Sequence, residues 1–289
     1  MLTDITTAEL KIHQDALLQL LQEFDRVCRK LGIKYTLFAG TMLGAVRHQG
    51  FLPWDDDLDI LMLRQDYDLF MQQAEQHLDT EKFFLQKEFS QHWPMFFSKL
   101  RLNNTTCLEK FHPKDKKMHQ GIYIDIFPCD NLADNNLVRK CQFIASKIVI
   151  AKSLYKRGYE TDSTKKKLFM LGCRLLPQKP FVAFVKGKNI KGAHVHTFFA
   201  AASKYHKNIF SRSSIENVEY TSFQGGQYLV STDWHNILTV LYGNYMQLPP
   251  PQERAIKQHA ILVDVHNSYE KYENYRDGMT FDVYTRSIR

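Results

Sequence analysis

Cysteine is sparse in this chain. Five are scattered through 289 residues, at Cys28, Cys107, Cys129, Cys141 and Cys173, with no Cys-x-x-Cys pair among them. An odd, unpaired set argues against a disulfide framework and against a cysteine-built zinc site, and it fits a reducing compartment. Long apolar runs are also missing: none reaches the roughly 20 residues that a membrane-crossing helix needs. The opening MLTDITTAELKIHQ has no basic segment followed by an apolar core, so no secretory leader is expected. No short repeat stands out. What remains is an ordinary globular composition, 44% hydrophobic, enough for a sizeable core in one large domain or two modest ones. A cytoplasmic protein is expected.

Acidic residues are scarce in one place only. Between Arg139 and Lys191 there are 14 Lys and Arg and two acids, Glu160 and Asp162, a net of +12. The rest of the chain has 24 basic and 29 acidic groups, so this segment supplies the whole excess behind the overall +7. Such a block suits an anionic partner (phosphates, a membrane surface or nucleic acid) or is a solvated helical face.

Periodicity divides the chain. Residues 7–31 place Leu10, Leu17, Leu21, Phe24, Cys28 and Leu31 on one helical stripe, which Gly32 can close. YTLFAG (35–40) reads as a short strand and TMLGAVRHQG (41–50) as a short helix and turn. DLDILML (57–63) reads as a strand and residues 64–78 as a helix. KFFLQKEF (82–89), PMFFSKLRL (94–102) and GIYIDIFP (121–128) are strand-like, the last stopped by Pro128, with a polar loop over 103–120. From about residue 132 the pattern is helical and basic. VLYGNYMQLPPPQER (240–254) suggests an ordered loop more than a helix. The expected class is mixed α+β: a catalytic sheet flanked by helices in residues 1–131, then a mainly helical basic region, 132–289, that completes one continuous globular unit.

The chemistry sits in WDDDLDI (54–60). Four carboxylates within five residues repel one another unless something neutralises them. On a strand beginning near Asp57, Asp57 and Asp59 share one face, about 7 Å apart by the strand rise, while Leu58, Ile60 and Met62 take the buried face. Asp55 and Asp56 then lie in the entry turn after Pro53. Asp56, on the apolar side, is the one expected to tolerate asparagine. The pair suits Mg2+, or Mn2+, which takes a couple of carboxylates plus substrate phosphates. An EF-hand reading fails because the sixth loop position, which needs glycine, is Ile60. A third acid, Asp125, interrupts the apolar strand IYIDIF, where an unpaired carboxylate costs on the order of several kcal/mol. It is either salt-bridged or part of a metal site. Upstream, a Gly40-Thr41 turn entering a helix would present backbone N–H groups to a phosphate, and Arg47 can hold one bidentately. His48 by itself is more often a surface or hydrogen-bonded histidine.

A Gly-Thr turn, then Asp-x-Asp on a strand, then a third aspartate on a later strand resembles the nucleotidyltransferase fold of the DNA polymerase β type. The longer run AGTMLGAVRHQGFLPWDDDLDI closely resembles the LicD family of phosphocholine transferases, which also includes the fukutin-related ribitol-phosphate transferases. GIYIDIFPCD (121–130) and YGNYMQLPP (242–250) are similar to two further motifs of that family, in the right order, and the likeness spans residues 20–255. The resemblance implies a Mg2+-dependent enzyme, with no organic cofactor, that moves phosphocholine from CDP-choline to a hydroxyl of lipopolysaccharide or a teichoic acid precursor and releases CMP. It implies Asp57 and Asp59 as the metal-binding pair, Asp125 as the third acid at the metal, and Asp55 as a supporting acid. Asp125 or Asp55 would take the hydroxyl proton. Gly40 and Thr41 would contact phosphate. Arg47, Lys99 and Arg101 would clamp phosphates, the latter two being surface charge otherwise, with His48 nearby on the substrate side. Tyr242, Gly243 and Tyr245 fall in the C-terminal motif, where Asn244 replaces an aspartate of many relatives.

A glycolipid acceptor would explain the basic block. KKKLFMLGCRLLPQKPFVAFVKGK (165–188) would lie at the inner face of the cytoplasmic membrane, or else pack within the helical region with its lysines in water. No nucleic acid partner is expected. Two rivals stand beside this reading. One is the same fold moving ribitol- or glycerol-phosphate or a nucleotidyl group. The other is a non-catalytic basic binding protein, which gains nothing from three acids that repel its own ligand.

Overall fold

The computed structural model describes residues 7–109, 115, 117–190, 192–199, 204–250, 254 and 259–272. It opens on α1 (Thr7–Leu31), whose buried side carries the stripe read from the sequence together with the polar His13, Gln14 and Asp25. Each of these polar groups has a partner. Gln14 donates to the carbonyls of Leu52 and Asp55, His13 Nε2 lies 2.9 Å from the Asp56 carbonyl oxygen, and Asp25 accepts from Tyr35 and Arg29. The first helix therefore clamps the backbone of the aspartate segment as well as the core.

In chain order there follow β1 (Thr36–Leu37), α2 (Ala39–His48), β2 (Asp59–Leu63), α3 (Arg64–Gln73), β3 (Phe83–Gln86), β4 (Ser98–Leu102), β5 (Thr106–Glu109), β6 (Tyr123–Asn131), α4 (Asn136–Arg157), α5 (Thr164–Arg174), α6 (Gln178–Lys186), β7 (His194–His196), β8 (Ile209–Ser211), α7 (Arg212–Glu216), β9 (Val218–Phe223), β10 (Gly226–Ser231), α8 (Trp234–Tyr242) and β11 (Ala260–Asp264). The main sheet has the order β1-β2-β6-β4-β3, with β7 and then β8 added beside the end of β6. β2 and β6 are parallel and every other pair is antiparallel. β9 with β10, and β5 with β11, form two small separate pairs. The mixed α/β class is as expected. A single core joins Leu21 and Phe24 of α1 to Ile60 and Met62 of β2, Leu100 of β4 and the alternating Ile122, Ile124 and Ile126.

Five expectations need correcting. β2 begins at Asp59 rather than Asp57. β6 is not stopped by Pro128 but runs on to Asn131. β4 ends at Ser98, opposite Ile126, so that edge of β6 is free at Pro128 and a missing N–H breaks no bond there. The loop over 103–120 holds the strand β5, while residues 110–114 and 116 lie outside the described residues. The second half is less helical than its periodicity suggests. α4, α5 and α6 are helices as read, but five strands follow them, and two of these extend the main sheet. Strands of three residues are too short to show alternation, which is why β7 and β8 escape a sequence reading. Val240, Leu241 and Tyr242 finish α8, so the 240–254 motif starts as helix; 251–253 lie outside the described residues.

Candidate active site

The alternation of WDDDLDI starts before its strand does. Asp55, Asp57 and Asp59 are half-buried, whereas Asp56, Leu58 and Ile60 are buried. Three features of α2 set this segment in place. A Cβ at Gly44 would strike the carbonyl oxygen of Gly50, so only glycine lets the following loop lie this close. A Cβ at Gly40 would sit 2.7 Å from Asp55 Oδ2. The Thr41 hydroxyl, buried, accepts from the Asp59 N–H at 2.9 Å. Gly40 and Thr41 at the start of α2 thus act as a bracket for the aspartates, with the Thr41 hydroxyl accepting from the Asp59 backbone. On the other flank, Asp59 and Asp125 are register partners on the parallel strands β2 and β6. Carboxylates distant in sequence become neighbours.

Burial and mutual repulsion act on all of them. Asp55 is pushed up to about 8 by burial, then by Asp57. Asp59 is held well above its ordinary value by burial, Asp57 and Asp125. Burial also raises Asp57 and Asp125, partly opposed by His259 and by Lys99 respectively. Lys99, the register partner of Asp125 on β4, is a buried cation at their side. Its Nζ lies 3.1 Å from Asp125 Oδ1 and 3.2 Å from Glu109 Oε1, and 3.0 Å from the centre of the Tyr123 ring. Burial brings Lys99 down to about 7. Its contact with Asp125 Oδ1 lacks hydrogen-bond geometry, which leaves that buried oxygen an ion pair but no hydrogen bond.

Four crowded carboxylates, hard oxygen donors with one buried oxygen lacking a hydrogen bond, fit a divalent cation of the Mg2+ kind. Among the described residues no three His, Cys, Asp or Glu side chains form a ready-made metal cage. Asp57 and Asp59 would supply two ligands, Asp125 would stand beside them, and water and substrate phosphate would complete the shell, as Mg2+ prefers.

The other sequence candidates divide. Arg47 is beside the C-terminal motif: Nη1 donates to the Tyr245 carbonyl at 2.7 Å, while Nη2 is buried without a partner. Burial and the nearby Arg254 guanidinium both work against its charge. His48 accepts from Arg47 and meets the Trp54 ring edge-on, and is not aimed at the acids. Tyr242 is half open, yet burial and the charges of Asp59, Asp55 and Asp57 raise its phenol. Tyr245 is internal, its hydroxyl 2.6 Å from His235 Nδ1. Lys99 and Arg101 are not surface charge. Arg101 is a buried strut, donating to Gln86 Oε1 and to the Gly121 carbonyl.

Asp56 is the largest departure. It does not sit free on an apolar face: His259 Nδ1 lies 2.7 Å from Oδ1, and the His259 N–H donates to Oδ2 at 2.8 Å. Asp56 and Asp57 raise His259 to about 9 against the pull of burial. His259, Glu109 and Arg254 are site neighbours that sequence reasoning missed. His259 and Glu109 are lone polar residues in segments without a motif, and Arg254 only closes the 240–254 stretch, where nothing local marks it.

Comparison with known proteins agrees with the motifs. Residues 32–155 match the family model described as LicD/FKTN/FKRP, nucleotidyltransferase domain. The chain is 27% identical over 259 residues to the lipopolysaccharide cholinephosphotransferase LicD of Haemophilus influenzae, covering 85% of this chain and 94% of that protein. A shorter match, 47% over 57 residues, joins it to an uncharacterized protein of Rickettsia typhi, across 20% of this chain and 18% of that one.

Proposed function

We propose that this chain, which carries a LicD-family domain over residues 32–155, moves phosphocholine from CDP-choline to a hydroxyl of a cell-envelope glycan and releases CMP. The relative that matches it nearly end to end is a lipopolysaccharide cholinephosphotransferase, which favours a lipopolysaccharide-type acceptor over a teichoic acid precursor. The observation that carries the reading is the meeting of Asp57, Asp59 and Asp125, whose combined charge Lys99 and His259 do not balance.

Mg2+, or Mn2+, held there would neutralise the donor diphosphate and the charge left on CMP. The residues of the chain do the positioning. Thr41 fixes the Asp59 backbone and Gly40 makes room for Asp55. Arg47 offers its unpartnered Nη2, with Arg254 adjacent, to a phosphate oxygen. Tyr242, whose phenol feels the charges of Asp59, Asp55 and Asp57, would serve the substrate side. The acceptor oxygen forms its bond to the choline-bearing phosphorus, the bond to CMP breaks, and the hydroxyl proton passes to Asp55, whose raised pKa suits a base near neutrality. Residues 1–131 form the catalytic core of a nucleotidyltransferase-like fold, and 132–289 complete it through β7 and β8 and through Tyr242. The enzyme works in the cytoplasm, in peripheral contact with the inner membrane face. No single helix among the described residues is long and apolar enough to cross a membrane.

Incubation with CDP-choline, Mg2+ and envelope glycolipid tests this, with phosphocholine incorporation and CMP release as readouts. EDTA is expected to abolish both. Faster turnover of CDP-ribitol, CDP-glycerol or a nucleoside triphosphate would overturn the phosphocholine assignment and leave the fold assignment standing.

A further inference from the structure

α5 is apolar on two opposite sides, and only one of them is covered. Met170 and Cys173 pack against Ala151 of α4. Leu168, Leu171 and Leu175, spaced i, i+3 and i+7 on the other side, are 64%, 50% and 86% exposed. Phe169, Leu176 and, on α6, Phe184 extend the bare surface. Gly172 lies among them, with nothing within 4 Å of the position its side chain would start from. An apolar surface of this extent marks an interaction site.

Charge tells what it meets. Lys165, Lys166 and Lys167 head α5, Arg174 ends it and Lys179 begins α6, and no Asp or Glu occurs from Ser163 to Ile215. A leucine ridge ringed by cations complements anionic headgroups above an acyl layer. A second copy of the chain fits poorly, because two such faces would bring their lysines together with no acid to separate them. α5 spans about 16 Å, half of the roughly 30 Å of a bilayer core, and α6 leaves it at 101°. That geometry suits lying on a surface, not crossing one.

We propose that the α5–α6 elbow seats this chain on an anionic lipid bilayer, Leu168, Leu171 and Leu175 entering at headgroup level and the flanking lysines and Arg174 lying on the phosphates. The proposal deepens the transferase reading and rests on it for its purpose, the capture of a lipid-linked acceptor. The other side of α6 is consistent with that use. It lines a groove of about 1050 Å³ whose walls carry Lys156, Arg157, Lys179 and Lys186. Arg157 meets Glu109, which meets Lys99 beside Asp125.

The test is sedimentation of the full chain with phosphatidylcholine vesicles, with and without about 30% phosphatidylglycerol, near 0.15 M salt. Binding is expected with the anionic vesicles and only weakly with the neutral ones. Leu171→Glu/Leu175→Glu should weaken it roughly tenfold or more, and Lys166→Glu/Lys167→Glu should weaken it as well. These side chains are exposed, so melting temperatures should not move. Absence of wild-type binding to anionic vesicles, or wild-type binding by the double leucine variant, overturns the proposal. So does a concentration-dependent dimer that the leucine variant dissolves, which would give the face to a second copy. Turnover of a water-soluble acceptor separates the two readings: the leucine variant keeps it if only the docking fails, whereas vesicle binding persists if only the transferase assignment fails.

Discussion

β2 and β6 run side by side and carry acids at both ends. At the start of the pair, Asp59 and Asp125 stand together with Asp57 and Asp55, and burial and repulsion raise all four. At the far end Asp130 of β6 is buried more fully still, yet Arg64, directly after β2, grips both its oxygens at 2.6 and 3.0 Å. Arg64 also reaches Glu88 at 2.9 Å, and Lys186 reaches the same carboxylate at 2.7 Å. Burial works against the Arg64 charge, but Asp130 and Glu88 hold the guanidinium well above its ordinary value. The two ends share strands and residue type. They differ in whether the chain supplies the counter-charge. Where it does, the acids join strand to helix. Where it supplies too little, burial and mutual repulsion raise them.

The sharpest way to break this comparison is to neutralise one acid at each end. Asp59→Asn should lower transfer by several kcal/mol of barrier, roughly a thousandfold, while leaving metal-free stability unchanged or raised. Full transfer by that variant would remove the catalytic assignment of this end. Arg64→Ala should do the reverse, lowering stability by about 3–5 kcal/mol in denaturant melts because Asp130 is left buried and unpaired. Turnover per folded molecule should persist.

Proton linkage probes the same contrast more gently. Asp55 holds its proton more tightly folded, at about 8, than at its ordinary 3.8. Its contribution is therefore present at acid pH and is lost as pH rises toward 8. Buried His196, lowered to about 4 by desolvation, works the other way below its ordinary 6.5, and Lys99, lowered to about 7, does so above 7. The useful reading is thus the difference between wild type and Asp55→Asn across pH 5 to 7. In EDTA the wild type should lose stability relative to the variant as pH rises. Saturating Mg2+ should restore about 2.7 kcal/mol at a hundred times its Kd, more at pH 7 than at pH 5. A metal effect independent of pH would separate the acids from the cation. The smallest effect is expected at Asp56→Asn, a loss of about 1–3 kcal/mol on weakening its bonds to His259, read as a lower denaturation midpoint.

How much of this was legible varies residue by residue. Alternation put Asp57 and Asp59 on one face and Leu58 and Ile60 on the other, and the half-buried and buried positions follow it. The 7–31 stripe gave α1 to the residue. Lys99 and Arg101 alternate along β4 like surface lysines and arginines, and nothing local says that Trp93 and Glu109 lie against that face. Pro128 looked like a stop because only the short reach of β4, a different strand, leaves the edge beside it free.

The sequence by itself determined the local things: the amphipathic helices, the strand carrying Asp59, the acid-free basic stretch and the motifs that resemble those of the LicD family. These depend on periods of two and 3.6 residues and on spacing along one chain. Tertiary structure alone decided which acid meets which charge. It set Asp125 beside Asp59, gave Asp56 to His259, and gave Asp130 to Arg64. It also left one side of α5 bare. Electrostatic fate depends on distances across the fold and on burial, and neither is written in the spacing of residues along a chain.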